Sequence, residues 1–290
     1  SIKASCQNEE SMSITVKTNT AANNALNQLN KTTRALTRNF ERISSGLRIA
    51  RAADDAAGLG VAENLKAAYT SADVAARNIN DGISIISVAE GATNEVASIL
   101  TRMRELAVQS ASGTLASSER AYIQTEFLQL SSEVDRISNV TEFNGIQLSN
   151  QGANGASTIS VQVGINNTTN DQITITLGDL RATALGVDSA SVDLSTAAGA
   201  LSAIDAIDSA ISSVSNIRST YGAVENRLGN ALNNIETFSE ATKGAESAIR
   251  DADFGVETAA LTQNQILQQA GVSVLGQAKN INQSALQLLQ

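Results

Sequence analysis

The stretch from Leu65 to Ala107, LKAAYTSADVAARNINDGISIISVAEGATNEVASILTRMRELA, decides how this chain folds. Read in alternating steps of three and four, it stops at Leu65, Ala68, Ala72, Ala75, Ile79, Gly82, Ile86, Ala89, Thr93, Val96, Leu100, Met103 and Ala107. Nearly every stop is apolar or small, and polar residues fill the steps between. That is a heptad seam sustained over about six heptads, the pattern of a helix packed lengthwise on other helices. At ~1.5 Å per residue it spans roughly 60 Å, longer than a globular core needs. The Ala and Gly stops let neighbouring backbones approach closely, so the rest of the chain must supply long helices to lie there.

It does. A seam at Ala22, Leu26, Leu29, Thr33, Leu36, Phe40, Ile43 and Leu47 precedes the long helix. It fits a core helix of a globular bundle or a coiled-coil arm. Its narrowness, and the Asn and Thr on its other faces, favour the arm. Gly46 and the segment 48–60 interrupt it. Asp54 or Asp55 caps the long helix, because a side-chain oxygen there accepts the free N–H groups of a first turn. Adjacent carboxylates also suit acid–base or metal chemistry, but no His, Cys or further acid cluster lies nearby. The long helix stops at Ser110-Ala-Ser-Gly113. Ser117 or Ser118 opens a third helix with its seam at Ile123, Phe127, Leu130, Val134 and Ile137. It ends ahead of Asn144-Gly145, a tight-turn dipeptide.

The period then changes to two. Ile159, Val161 and Val163 alternate with polar residues, as do Ile173, Ile175 and Leu177. This predicts a β-hairpin, about residues 157–178, whose apolar face lies on the helices, since two strands alone are marginal. Residues 181–196 read as loop. A fourth helix carries Ile204, Ile207, Ile211, Val214, Ile217, Tyr221, Val224, Leu228, Ala231, Ile235, Phe238, Thr242, Ala245 and Ile249. After a second acidic junction at 250–255, the last helix carries Leu267, Val274, Ile281 and Leu288, with Gly271, Ala278 and Ala285 between. Its final turns are apolar on several sides, which calls for cover from outside the chain. The order of elements is a palindrome, and antiparallel long helices would set the two ends side by side. The predicted fold is mainly α: a long antiparallel helical rod with a small β-hairpin region, and terminal helices paired as a coiled coil.

Composition narrows the function classes. The 290 residues include no Pro, Trp or His, and only 3% are aromatic. Without His, a Ser-His-Asp or Cys-His site cannot be built. A Ser-Lys or two-carboxylate enzyme stays open, but seams this thin leave little room for a concave pocket. We expect no enzyme, cofactor or metal. A net charge of -9 argues against nucleic acid and against an anionic membrane surface. No apolar run approaches the ~20 residues of a membrane span, so no membrane insertion is expected. No secretory apolar segment opens the chain, so export would proceed without a cleaved signal peptide. Residues 1–12 read as a leader or disordered extension, with Met12 as a natural initiator and Cys6 unable to form an internal disulfide. Asn139-Val-Thr141 and Asn166-Asn-Thr168 fit an N-glycosylation pattern that arises often by chance in such chains.

Five motifs then occur in order: Arg42-Ile-Ser-Ser-Gly-Leu-Arg48 with Asp54-Asp-Ala-Ala-Gly58; Asn80-Asp-Gly-Ile-Ser84; Thr101-Arg-Met-Arg-Glu-Leu-Ala-Val-Gln-Ser110; Phe143-Asn-Gly145; and Gln265-Ile-Leu-Gln-Gln-Ala-Gly-Val-Ser-Val-Leu275. With them the chain resembles bacterial flagellin from Ser13 onward. It departs at Ala50, where Asn is common, and at Asn280-Ile-Asn-Gln283, where a Pro is usual. The resemblance implies a terminal coiled-coil domain (13–47 and 251–290), a junction (48–58) and a helical domain with the hairpin (59–250). The short link from hairpin to fourth helix marks a minimal form without outer domains. The implied function is a structural subunit that polymerises into the helical filament of the bacterial flagellum for swimming motility. The alternative is a hook–filament junction or other secreted coiled-coil protein.

The implied subunit contacts are Leu26, Leu29, Leu36, Phe40, Ile43, Leu47, Leu267, Val274, Ile281 and Leu288. The implied partners are further copies or other flagellins, an export chaperone, the flagellar export apparatus, and hook-associated and cap proteins. The implied location is extracellular. In flagellins read by host flagellin receptors, the matching contacts would be Arg102, Leu106 and Glu126; packing between subunits accounts for the same residues equally well.

Overall fold

The computed structural model describes residues 18–151 and 155–287, of which 281–287 by backbone only. The leader 1–12 and Leu288 lie outside the described residues, as does the side chain of Ile281. The elements are α1 (Thr20–Ser45), α2 (Ala56–Ala111), α3 (Ser117–Val140), β1 (Glu142–Phe143), β2 (Ile146–Gln147), β3 (Thr158–Gln162), β4 (Gln172–Thr176), α4 (Ala182–Leu185), α5 (Ala197–Arg250) and α6 (Phe254–Gln287). They form two compact units. One combines the chain up to Leu65 with the chain from Gly244; the other is Lys66–Lys243.

The central unit is organised around α2 as its heptads predict. Every stop from Ala72 to Ala107 is buried, and Leu65 and Ala68 are half-buried. The first turn of α2, which belongs to the terminal unit, is tied by Asp55, whose Oδ1 accepts from Gly58 N at 2.9 Å. Asp54 instead accepts from Arg51 N, so of the two acids Asp55 caps the helix. A Cβ at Gly58 would collide with the Asp55 carboxylate, which explains a glycine in a first turn.

Two clusters fill this unit. In one, Val96, Leu100, Met103, Leu106 and Ala107 of α2 meet Ile123, Phe127, Val134 and Ile137 of α3 and Ala203, Ile207, Ala210 and Val214 of α5. In the other, Ala72, Ala75, Ile79, Ile86 and Ala89 meet Tyr221, Val224, Leu228 and Ile235 of α5 and the hairpin. Burying each of these large side chains stabilises by roughly 1.5–3 kcal/mol. Across the helices, Arg104 Nε donates to Asp208 Oδ1 at 2.6 Å, and Asp73 accepts from Ser239 Oγ at 2.7 Å and Lys243 Nζ at 2.9 Å.

The hairpin pairs β3 with β4 antiparallel, Ile159 opposite Ile175 and Val161 opposite Ile173. Val161, Ile173 and Ile175 are buried on the helices. The approach is close: a Cβ on Gly82 would stand 3.1 Å from Val161 Cγ2. At the end of β4, Gly178 N donates to the buried Tyr221 hydroxyl at 3.0 Å. The Asn144-Gly145 turn, with φ of 49° and 78°, joins β1 to β2.

Two expectations change. Residues 181–196 are not plain loop: Ala182, Leu185, Val187, Val192 and Leu194 are buried in the first cluster, and α4 forms within them. Along α5, small residues take some inward places: Ala203, Ala210 and Ser239 are buried, whereas Ile204 and Ile211 are half-buried and Phe238 is exposed. Mean hydropathy reaches 1.2 in both α2 and α5, the level of a membrane helix by length and composition. Buried Ala, Ile and Val supply part of that hydropathy, and exposed Val88 and Leu201 supply more; Asn, Asp and Glu on the same helices would be costly in hydrocarbon.

Candidate subunit interface

In the terminal unit α1 and α6 run antiparallel. At one end Asn19 caps α1, its Oδ1 accepting from Ala22 N, and its Nδ2 donates to Ala278 O at 2.9 Å. At the other, Arg42 Nη1 reaches Glu257 Oε1 at 3.0 Å. Gly46, at φ 72°, ends α1 by accepting the left-handed turn that other residues resist. The two junctions then zip together: Arg48 N donates to Arg250 O at 2.7 Å and Ala252 N to Gly46 O at 2.9 Å. Arg250 is held by Glu63 at 3.0 Å.

The pair's inner seam is composed unusually. On α1 the inward residues are Ala22, Ala25, Leu29, Thr32, Leu36, Asn39 and Ile43; on α6 they are Glu257, Leu261, Asn264, Gln268, Gly271, Leu275 and Ala278. Both sets keep three-four spacing. Small and polar residues predominate, and a Cβ on Gly271 would stand 3.4 Å from Leu29 Cδ1. Large hydrophobes are divided: Leu29, Leu36, Ile43, Leu261 and Leu275 lie in the seam, whereas Leu26 is 41% exposed, Phe40 51%, Leu267 47% and Val274 55%.

The predicted contact residues therefore divide. Leu29, Leu36 and Ile43 face α6 within the chain. Leu26 and Phe40 form a flank beside that seam, continued by half-buried Leu47. Leu267 and Val274 form a flank on α6, one residue ahead of the inward Gln268 and Leu275. In heptad terms the α1 flank occupies e and the α6 flank g. In an antiparallel pair e lies beside e and g beside g, so Leu267 and Val274 lie on the side opposite Leu26 and Phe40, while α6 also exposes Val272 at e and Ile266 at f.

The residues suggested as a receptor surface separate as well. Arg102 Nη2 pairs with Glu126 Oε1 at 2.8 Å and Nη1 with Glu105 Oε2 at 2.9 Å, all three exposed. These carboxylates hold the Arg102 guanidinium above its usual pKa, the Glu126 hydrogen bond most strongly. Leu106, by contrast, is only 2% exposed and packs in the core, so its side chain does not share that surface. The cleft at Asp73, Ile235, Ser239 and Lys243 is about 340 Å³, and its Asp73 is occupied by Ser239 and Lys243. Among the described residues, no group of three or more His, Cys, Asp or Glu is placed to hold a metal.

Comparison with known proteins identifies the family. Residues 16–153 match the bacterial flagellin N-terminal helical region, and residues 204–289 match the bacterial flagellin C-terminal helical region. Flagellin of Halalkalibacterium halodurans is 42% identical over 87% of this chain and 90% of its own length. Flagellin of Bacillus subtilis is 39% identical over 94% of this chain and 98% of its own. A crystal structure of Bacillus cereus flagellin is 30% identical, covers 55% of this chain and 88% of that one, and superposes with a TM-score of 0.49. The chain belongs to the bacterial flagellin family.

Proposed function

We propose that the α1–α6 pair is the polymerising surface through which this flagellin serves as a structural subunit of the extracellular flagellar filament. The observation that carries the reading is the pair of apolar flanks on opposite sides, Leu26 with Phe40 and Leu267 with Val274. An α1 flank docking on the α6 flank of the next copy is a heterologous contact. Such contacts leave a free flank at each end and propagate instead of closing. The residues ascribed to subunit contact thus take two roles: Leu29, Leu36 and Ile43 pair α1 with α6, and the flank residues meet neighbours. Residues 13–47 and 251–290 act as the assembling domain and 59–250 as a helical support with no catalytic part.

An inner seam that mixes Leu and Ile with Thr, Asn, Gln, Gly and Ala stabilises the pair less than an all-apolar one, so its ordering depends also on burial of the flanks. Before assembly the same flanks are open to an export chaperone. Two measurements test the reading. In seeded elongation followed by electron microscopy, wild type grows long filaments, whereas Leu26→Ser with Phe40→Ser, or Leu267→Ser with Val274→Ser, does not. Growth of both variants at the wild-type rate refutes it. Amide exchange in α1 and α6 is expected to be fast in the monomer and slow in the filament; equally slow exchange in both contradicts the weak seam.

A further inference from the structure

The two units differ in charge in a way the apolar contacts do not use. Residues 66–243 hold 10 Lys or Arg against 19 Asp or Glu, so the central unit carries the whole net charge of -9. The remaining residues, with 10 of each sign, are neutral. Within the terminal unit the cations are nevertheless segregated. Lys31, Arg34 and Arg38 recur in steps of three and four along α1 and are exposed. They occupy heptad positions c and f, turned away from α6.

Other α1 cations are satisfied nearby: Arg42 pairs with Glu257 and Arg51 with Glu41. Arg34 Nε donates only to the Asn30 carbonyl, and Lys31 and Arg38 have no acidic partner among the described residues. Nor does α6 offer one alongside, because Glu257 is the only charged residue between Phe254 and Ala278.

We propose that this cationic stripe docks the acidic central unit of a second copy of the chain, adding an electrostatic contact to the apolar one. The proposal rests on the polymerising role given above. Charge complementarity selects the occupant: the stripe lacks an acid in its own helix pair, and an excess of nine acids lies on the central unit of every copy. Contacts between exposed charges act mainly on encounter rate and fade with salt as the Debye length shortens from ~30 Å at 0.01 M to ~8 Å at 0.15 M. The stripe should therefore speed elongation at low ionic strength and matter little at high.

The test is seeded elongation of the full chain across ionic strength. The Lys31→Gln, Arg34→Gln, Arg38→Gln variant is compared with a charge-matched control, Lys66→Gln, Arg218→Gln, Arg227→Gln, in the central unit. We expect the α1 variant to elongate about tenfold more slowly at low salt, within the range of electrostatic steering, and to match wild type at high salt. The control is expected to elongate at least as fast as wild type throughout. An unchanged salt dependence in the α1 variant overturns the proposal, as does equal slowing of the control, which would mean simple repulsion between more acidic monomers. If the α1 variant elongates normally but loses sedimentation with phosphatidylglycerol vesicles that wild type shows, the stripe serves a lipid surface and the second-copy assignment falls. Failure of the apolar reading looks different: Leu267→Ser with Val274→Ser would then elongate normally at every salt concentration.

Discussion

Replacing Phe40 by Ser separates the two kinds of contact at the terminal helices. A phenylalanine offers about 200 Å² for burial, and Phe40 is 51% exposed, so about 100 Å² remains for a neighbour to cover. At ~25 cal/mol per Å² this is about 2.5 kcal/mol for each subunit added. With ~1.4 kcal/mol per tenfold, the critical concentration for elongation should rise roughly 60-fold. That is the full-coverage limit; partial coverage gives less. Phe40 touches neither core cluster of the central unit, so thermal unfolding of that unit, followed by circular dichroism on the monomer, should not move. The assay is sedimentation of seeded reactions over a range of subunit concentrations. A critical concentration within twofold of wild type would refute the reasoning, because the exposed half of the ring would then gain no cover in the filament. A fall in the central unit's melting temperature would refute the division of labour between the units.

The remaining predictions concern the supporting structure. Gly178→Ala places a Cβ 2.5 Å from Ile217 Cδ1 and disturbs the Gly178–Tyr221 hydrogen bond; a loss of about 2–3 kcal/mol is expected in urea unfolding. Asp55→Ala removes the α2 cap and should cost about 1 kcal/mol, with faster amide exchange confined to the first turn. The Ser239 hydroxyl, then the Lys243 ammonium, hold the Asp73 carboxyl below its ordinary 3.8. A depressed folded-state pKa contributes stability that is present above the unfolded value and lost as pH falls through the folded one. The melting-temperature gap between wild type and Asp73→Asn should accordingly be constant from neutral pH to about 5, then shrink below 3.8. A gap that widens on acidification would contradict the assignment.

Much of the central unit was legible because period and composition agree there. On α2 the stops of the three-four pattern are nearly all apolar or small and mark the inward stripe, which Ile85, Ile99 and Leu106 beside it widen. The same holds on α3, where Ile123, Phe127, Val134 and Ile137 are buried as spaced. The hairpin was readable from alternation, because a one-residue slip would turn Val161 and Ile173 to solvent. On α1 the rule misleads. Leu26 and Phe40 are more apolar than Ala25 and Asn39, and Thr33 equals Thr32, yet Ala25, Thr32 and Asn39 face α6. Ala203 and Ala210 on α5 do the same beside Ile204 and Ile211. Hydrophobic period ranks stripes by apolarity, whereas closely approaching helices choose the stripe that is small. The segment 181–196 was missed for another reason: its buried residues follow no single period, since a chain laid irregularly over a core contributes side chains wherever it touches.

That misreading of α1 and α6 bears on function. In the central unit most Ile, Leu, Met and Phe side chains are buried in two clusters, with Leu201 and Phe238 among the exceptions. In the terminal pair the seam is mixed: Thr32, Asn39, Glu257, Asn264, Gln268 and Gly271 face inward beside Leu29, Leu36, Ile43, Leu261 and Leu275, and Leu26, Phe40, Leu267 and Val274 face out. Polar residues at such positions fix register at the expense of stability. The Arg42–Glu257 pair does likewise, because an inward charge requires its partner's presence. A seam of this kind specifies how α1 and α6 align and leaves part of the pair's apolar surface uncovered. On the proposed reading, ordering of the ends is coupled to addition of a subunit. Moving Leu26 and Phe40 into the places of Ala25 and Asn39 would add apolar burial within the pair and remove it from the flank, so the pair should gain stability alone and elongate less readily.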